Sequence, residues 1–302
     1  MIDNTLVTGG NGMVGSCVSG SHKPRSSEMN LLDYEQVADY ISDNNIKMVC
    51  HCAGLVGGIK TNNSRPADFF HENMQMGLNI MKASKENGVR KVLLLSSTCA
   101  FPHEAQIPFT SDSLHHGEPH HTNYGYAYSK RMLDVLARSY RQQYDMDVIS
   151  VIPCNIYGPR DNFNLEESHV VPGLIHKAKI CKDRGEPLKV WGSGRAKREF
   201  LFSEDVGKIL DEAMLSYSDP EPLVISPPEE TSIEEIASII ASKSGLSEGY
   251  QLDNSMPDGP LSKRSCDAKF RNRYGHLHLT PIDDGISQTI DWFNYNYEEA
   301  RK

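Results

Sequence analysis

Short apolar segments alternating with longer amphipathic ones, a glycine-rich turn directly after the first of them, and a change of texture past residue 155 predict an α/β protein. The expected architecture is a doubly wound parallel sheet with helices on both faces, joined to a smaller mixed α/β domain. In chain order, residues 4–8 read as the first strand, and 47–53, 91–97 and 147–153 as further buried strands. Between them, residues 66–88 begin on Pro66, end on Gly88 and space Phe70, Met74, Leu78 and Met81 at helical intervals. Residues 123–144 read as a second long helix. Beyond 155, Pro, Gly, Asn and His cluster through 157–173, and the later pieces alternate less regularly. Residues 1–155 are therefore expected to form the first domain, with a returning segment near 199–220, and 156–302 mainly the second.

Composition narrows the classes of partner. With 31 Lys and Arg against 40 Asp and Glu, the 302-residue chain carries a formal charge of -9, which argues against a nucleic acid or an anionic membrane surface. The 7 cysteines (17, 50, 52, 99, 154, 181, 266) are scattered and odd in number, as suits reduced thiols. No apolar run reaches the roughly 20 residues of a membrane span, and no secretory leader is evident, so a cytoplasmic location is expected. No metal is expected either. Cys50-His51-Cys52 falls in a strand, where packing explains it, and HHGEPHH (115–121) is a polar loop without clear ligand spacing.

The glycine turn carries the first chemistry. In TGGNGMVG, Gly9, Gly12 and Gly15 follow the first strand and are read as opening a helix, which makes the sheet a Rossmann-type one. Glycines permit the tight turn, and helix N-terminal amides then meet a pyrophosphate, with Met13 and Val14 in the same loop. Downstream, Lys23 and Arg25 precede any acidic residue, which suits a ribose 2′-phosphate and favours NADPH/NADP. Only residues 16–29 separate this loop from the Asn30-Leu31-Leu32-Asp33 segment, so the first crossover must be abbreviated.

A second constellation lies downstream. Tyr126 and Lys130 form Y-x-x-x-K, an i, i+4 pair on one helix face, where the cation is expected to lower the phenol pKa. Ser96-Ser97-Thr98-Cys99 falls at the C-terminal end of a strand, the edge at which open α/β sheets bind ligands. Ser97 and Tyr126 together would hold a substrate carbonyl beside a nicotinamide. Glycine loop, Ser97, Tyr126 and Lys130, in that order, resemble the short-chain dehydrogenase/reductase superfamily in its longer sugar-nucleotide branch.

Within that branch the chain resembles the GDP-L-fucose synthases, the GDP-4-keto-6-deoxymannose epimerase-reductases. The likeness rests on AGLVGGIKTNNSRPADFF (53–70), SSTCAFP (96–102), NYGYAYSKRMLD (123–134), PCNIYGPRDNF (153–163), SHVVPGLIHK (168–177) and VWGSGRAKREF (190–200), with PDG (257–259) and the final DWFNYNYEEARK weaker. The resemblance implies Ser97, Tyr126 and Lys130 as the reductive triad, and Cys99 and His169 as the groups exchanging protons at C3 and C5. It implies Asn155 against the substrate sugar, and Lys177, Trp191, Arg198 and Lys263 around the GDP moiety. For the cofactor it implies Gly9, Gly12, Met13, Val14, Gly15, Arg25, Leu31, Ala53, Lys130, Pro153, Asn155 and His169. It also implies a homodimer through the helices near 66–87 and 123–144. Asn11 departs from the family, standing where some members carry arginine.

The chemistry agrees with that likeness. A 4-keto sugar has acidified hydrogens at C3 and C5, so epimerisation needs a base, an acid and support for an enolate oxygen, which a hydroxyl pair supplies. A thiol such as Cys99 serves as base and a histidine such as His169 returns the proton. Two rivals fare worse. A dehydratase or 4-epimerase of the same branch is the nearest, but a dehydratase would carry a carboxylate pair beside the strand-end threonine, whereas Thr98 is followed by Cys99 and Ala100. A non-catalytic NADP sensor would be expected to lose Tyr126 or Lys130.

Overall fold

The computed structural model describes residues 4–302. The first strand, β1 (Thr5–Thr8), is buried along its whole length. After the glycine turn comes α1 (Tyr34–Asp43), started by the Asp33 side chain, which accepts from the amides of Glu35 and Gln36. Then follow β2 (Met48–His51), the short α2 (Ile59–Ser64), α3 (Pro66–Glu86) with proline in its first turn, and β3 (Lys91–Leu95). The long α4 (Tyr124–Tyr144) ends on Asp145 in the left-handed conformation, and β4 (Asp147–Pro153) follows it. Expected strands 47–53 and 91–97 stop early. From Cys52 and from Ser96 the chain leaves the ladder to form the loops of the site.

The remaining elements are β5 (Asn155–Tyr157), α5 (Val170–Arg184), β6 (Leu188–Trp191), β7 (Lys197–Arg198), β8 (Phe200–Phe202), α6 (Ser203–Ser216), β9 (Leu223–Ile225), β10 (Thr231–Ser232), α7 (Ile233–Ser244), β11 (Tyr250–Asp253), α8 (Ala268–Tyr274) and α9 (Ile282–Tyr295). The main sheet runs β1-β2-β3-β4-β9, every neighbour parallel, with Leu6 opposite Val49, Val49 opposite Val92 and Leu93 opposite Ile149. Side chains alternate across it. Val7, Cys50, Leu93 and Ile149 point into a core closed by α6 and α8, while Leu6, Val49, Val92 and Val148 point into one closed by α1, α3 and α4. A further core, around Tyr157, Phe163 and Phe293, joins α5, α7 and α9 to β6 and β8. The short strands pair as β5 with β8, β6 with β11 and β7 with β10.

On the outer side of β1 the abbreviated crossover is visible. The only pairing among the described residues is a bridge to His22, in which Val7 N donates to His22 O at 2.8 Å and His22 N to Thr5 O at 3.1 Å. No described helix is long and apolar enough to cross a membrane.

Candidate active site

Every loop leaving the C-terminal edge of the main sheet contributes to one region. At β1, Gly9 takes φ +67°, and a Cβ there would stand 2.9 Å from the Ala53 backbone. A Cβ on Gly15 would stand 2.4 Å from the Gly9 carbonyl oxygen. The turn is closed by Gly12 N to Gly9 O at 2.9 Å, Ser16 N to Gly12 O at 3.1 Å and Cys17 N to Val14 O at 2.9 Å. The expected helix does not form. Residues 9–19 are turns and bends, because the crossover is too short to build a helix and return to the sheet. The amides of Asn11, Met13, Val14 and Gly15 are claimed by no hydrogen bond among the described residues, so an anion-binding row survives without the helix.

The two cations expected beside a 2′-phosphate part company. Lys23 lays its stem across Gly10, where a Cβ would meet it at 2.6 Å, and its Nζ donates to Ser16 O at 3.0 Å. It thus props the glycine turn from within. Arg25 is exposed, and its side chain makes no hydrogen bond among the described residues. The acidic residue that follows them folds back on the loop, the Arg25 amide donating to Glu28 Oε2 at 2.7 Å. Leu31 is tied to α3 through its carbonyl, which accepts from Asn79 Nδ2 at 2.8 Å.

At the end of β2, Thr8 Oγ1 lies 2.8 Å from His51 Nδ1 and accepts from the Ala53 amide at 3.2 Å. Burial, then the charge of Lys130, pushes the His51 pKa down to about 3, so the ring is neutral. Asn73 of α3 holds the following residues, accepting from Leu55 N at 2.8 Å and donating to Leu55 O at 3.1 Å and Phe69 O at 2.7 Å. From the sequence His51 was read as packing and Asn73 was not singled out. The signal was there in each case, as a polar side chain on an otherwise buried strand or helix face.

At the end of β3, Ser97 accepts from the Cys99 amide at 3.2 Å and starts a short 3₁₀ turn, Thr98–Ala100. Tyr126 enters from the first turn of α4. Burial first, then the neighbouring Cys99 thiol, raises its phenol pKa, and hydrogen bonding with Ser97 opposes them. Lys130 follows one turn on, buried, donating to Leu95 O at 3.0 Å, with Nζ 5.9 Å from the Tyr126 ring centroid. Burial lowers its pKa to about 8, Cys52 pulling the other way. The expected lowering of the phenol pKa by this cation is therefore not found: the ammonium is spent on a carbonyl and desolvation dominates. The wall is stapled from behind. Ser96 Oγ donates to Lys130 O at 2.9 Å and Arg131 Nε to Ala100 O at 2.8 Å, while a Cβ on Gly125 would stand 2.0 Å from Pro66 O.

His169 immediately precedes α5, and its surroundings are joined to the β2 loop by Gly58 N donating to Glu167 O at 2.9 Å. The residue is exposed, yet its ring is crowded by protein. Desolvation, followed by Arg301, lowers its pKa. Pro153 closes β4, and exposed Asn155 donates to Glu199 O at 2.8 Å. Glu199, which sequence reading passed over, is buried, and both its carboxylate oxygens accept from Ser265 N, at 3.0 and 3.1 Å. Burial pushes its pKa up to about 7. Glu230 accepts from Lys263 N at 3.1 Å, so two carboxylates hold the strap that carries Lys263.

Trp191 is 63% exposed at the end of β6, and Lys177 Nζ stands 4.8 Å from its ring centroid. Arg198 Nη1 donates to Lys197 O at 2.6 Å and Pro260 O at 2.8 Å. The structure thus groups Ser97, Cys99, Tyr126 and Lys130, pairs Lys177 with Trp191, and leaves Arg25 apart. Two concavities of about 500 Å³, one lined by His278 and Asp284 and the other by Arg138 and Arg141, include none of these side chains.

Comparison with known proteins adds to this geometry. The family described as "NAD dependent epimerase/dehydratase family" matches residues 5–226. A GDP-L-fucose synthase of Dictyostelium discoideum is 36% identical, covering 98% of this chain and 97% of its own. One from Sinorhizobium fredii is 39% identical over 96% and 95%. A crystal structure of a GDP-L-fucose synthetase from Naegleria fowleri bound to NADP superposes with a TM-score of 0.94 at 35% identity, covering 100% of this chain and 95% of that one.

Proposed function

The chain belongs to the NAD dependent epimerase/dehydratase family, among its GDP-L-fucose synthases, and from that premise we propose that it converts GDP-4-keto-6-deoxy-D-mannose to GDP-L-fucose. It is an NADPH-dependent epimerase-reductase: epimerisation at C3 and C5 precedes reduction of the C4 ketone. The observation that carries this reading is the meeting of Ser97, Cys99 and Tyr126 at the end of β3 with Lys130 buried behind them.

The residues present fit the dinucleotide. The unclaimed amides of the glycine turn suit its pyrophosphate, and the close backbone approach of Gly9 to Ala53 leaves the turn open on its outer side. When bound, NADPH supplies the hydride. Ser97 and Tyr126 would hold the C4 oxygen, first as an enolate and later as an alkoxide, to which Tyr126 gives its proton. A phenol pKa raised by burial keeps that proton in place beforehand. Cys99, adjoining Tyr126, would take the C3 and C5 protons, and His169, its pKa lowered by desolvation, would return them readily as imidazolium. Asn155 would orient the sugar, with Lys177, Trp191, Arg198 and Lys263 around the guanosine diphosphate. Arg198 must then exchange the Pro260 carbonyl for a phosphate oxygen.

The same proposal assigns residues 1–155, with the returning segment, to cofactor and 156–302 mainly to the sugar nucleotide. It also makes the protein a cytoplasmic homodimer. Its described cysteines are all free, and Phe70 and Leu78 on α3 with Tyr124 and Val135 on α4 form exposed apolar stripes. Incubating the protein with the keto sugar and NADPH, and identifying the product by NMR, tests the function. GDP-L-fucose supports it; NADPH oxidation yielding a sugar reduced at C4 but not inverted at C3 and C5 overturns it.

A further inference from the structure

We propose that Cys50 and Cys52 form a redox-sensitive dithiol, closed to a disulfide by oxidants of the peroxide class, and that closure weakens NADPH binding. The second half rests on the cofactor reading above. The two sulfurs lie 3.5 Å apart, the only sulfur–sulfur contact among the described residues. Cys50 is in the strand and Cys52 is the first residue past its end, and their sulfurs meet while His51, between them, turns to Thr8. Cys50 is fully buried in the core, whereas Cys52 is half-buried and lies near the Lys130 ammonium. The contact with Cys52, then burial, raises the Cys50 pKa, so Cys50 holds its proton, and the less buried Cys52 presents the accessible sulfur. Nothing in the proposed reaction uses either.

The chemistry balances without a metal. The Cys52 sulfur attacks one peroxide oxygen; an S–O bond forms, the O–O bond breaks, and water leaves. The Cys50 sulfur then attacks the sulfenic sulfur, forming S–S and expelling the oxygen as a second water, both thiol protons being consumed. Peroxide oxygen is reduced by two electrons and the sulfur pair is oxidised by two. A disulfide needs about 2.0 Å between sulfurs, so the pair must close by roughly 1.5 Å from its 3.5 Å separation. Cys50 is fixed in the ladder opposite Leu93, so the movement falls on Cys52 and the residues after it. Those residues include Ala53, whose amide bonds Thr8 and whose backbone touches Gly9. Closure therefore distorts the glycine turn.

The test treats the full chain with hydrogen peroxide, follows residues 48–60 by mass spectrometry of the tryptic peptide, and measures NADPH binding by fluorescence rather than turnover, which Cys99 oxidation would confound. The expected result is a peptide lighter by two hydrogens, with roughly 10-fold weaker NADPH binding, as the loss of one or two turn hydrogen bonds implies, restored by dithiothreitol. Cys50→Ala, or Cys52→Ala if the former misfolds, should bind NADPH equally before and after peroxide. No disulfide at peroxide doses that already oxidise Cys99, or a disulfide that leaves affinity unchanged, would overturn the proposal. Failure of the reduced protein to bind NADPH at all would instead count against the cofactor reading, and the peptide mass would still report on the dithiol.

Discussion

The catalytic wall and the cofactor turn adjoin each other at one edge of the sheet and are built in opposite ways. The wall is the end of β3 clamped against the first turns of α4, which in turn packs along α3, with Leu133 Cδ2 at the place a Cβ on Gly77 would occupy, 2.8 Å away. Its side chains are fixed by bonds between elements far apart in sequence, such as Ser96 to Lys130. The cofactor turn builds no helix of its own: a lysine side chain props it from inside, one bridge stands beside it, and α6 packs behind it, where a Cβ on Gly207 would stand 2.5 Å from Cys17 O and Asp211 accepts from Ser19 N at 2.9 Å. Proton and hydride transfer demand side chains placed to a fraction of an ångström, which only long-range packing secures. A pyrophosphate asks for a row of backbone amides, which three glycines supply without a helix. The fold has been shortened where the requirement is loosest.

That contrast predicts large effects on the wall and small ones on the turn. Tyr126→Phe should slow NADPH oxidation by about 10²- to 10⁴-fold while proton exchange at C3 and C5 falls less, because Ser97 still supports the enolate. Equal loss of both would mean that the two half-reactions share Tyr126 fully. Leu133→Ala, which empties the seam between α3 and α4, should cost ~2–5 kcal/mol of stability in denaturant titration. A cost under ~1 kcal/mol would mean that the wall does not depend on this seam.

Acidity gives a third comparison. Lys130 titrates at about 8, below its usual 10.5, so it is cationic under that pH and neutral above it. Desolvation outweighs this charge in the resting phenol, but with Nζ 5.9 Å from the Tyr126 ring the cation opposes loss of the phenol proton less than a neutral amine would. The reduction rate should therefore fall as pH rises through about 8, and the falling limb should vanish in Lys130→Met. Stability should move the other way. Between about 8 and 10.5 the unfolded chain binds more protons at this residue, so its contribution to folding improves with rising pH. A rate flat through this window would show that Lys130 is charged throughout.

On the turn, the smallest effects separate Lys23 from Arg25. A charged hydrogen bond contributes about 1.5–3 kcal/mol, so Arg25→Ala should reduce preference for NADPH over NADH by roughly 10-fold. Lys23→Ala should weaken both cofactors alike and lower the melting temperature, because Lys23 holds the Ser16 carbonyl rather than facing outward. Equal use of NADH and NADPH by the unaltered protein would remove the 2′-phosphate from Arg25's account altogether.

Legibility in the sequence follows the same division. The helix expected over 66–88 is Pro66–Glu86, and that over 123–144 is Tyr124–Tyr144, because long amphipathic runs state their period and, in the first, Pro66 and Gly88 state its limits. The strand cores were equally plain, but their ends were not, since leaving the ladder at Cys52 and Ser96 depends on Thr8 and on a 3₁₀ turn. The spacing of Tyr126 and Lys130 put both on one face but could not say that Leu95 would take the ammonium. Asn73 and Glu199 went unremarked, and His51 was read as packing alone, because what each holds lies 18 to 66 positions away in the chain. Motif reading finds groups assigned to a reactant; these hold the loops around such groups.

The division of labour on the wall is tested most directly by Cys99→Ala in heavy water with the keto sugar. Cys99 adjoins Tyr126 but is no part of the Ser97-Tyr126-Lys130 set. Deuterium incorporation at C3 and C5, read by NMR, should fall by about 10²- to 10⁴-fold while NADPH affinity is retained. Incorporation at the unaltered protein's rate would remove Cys99 from the proton path and contradict the account.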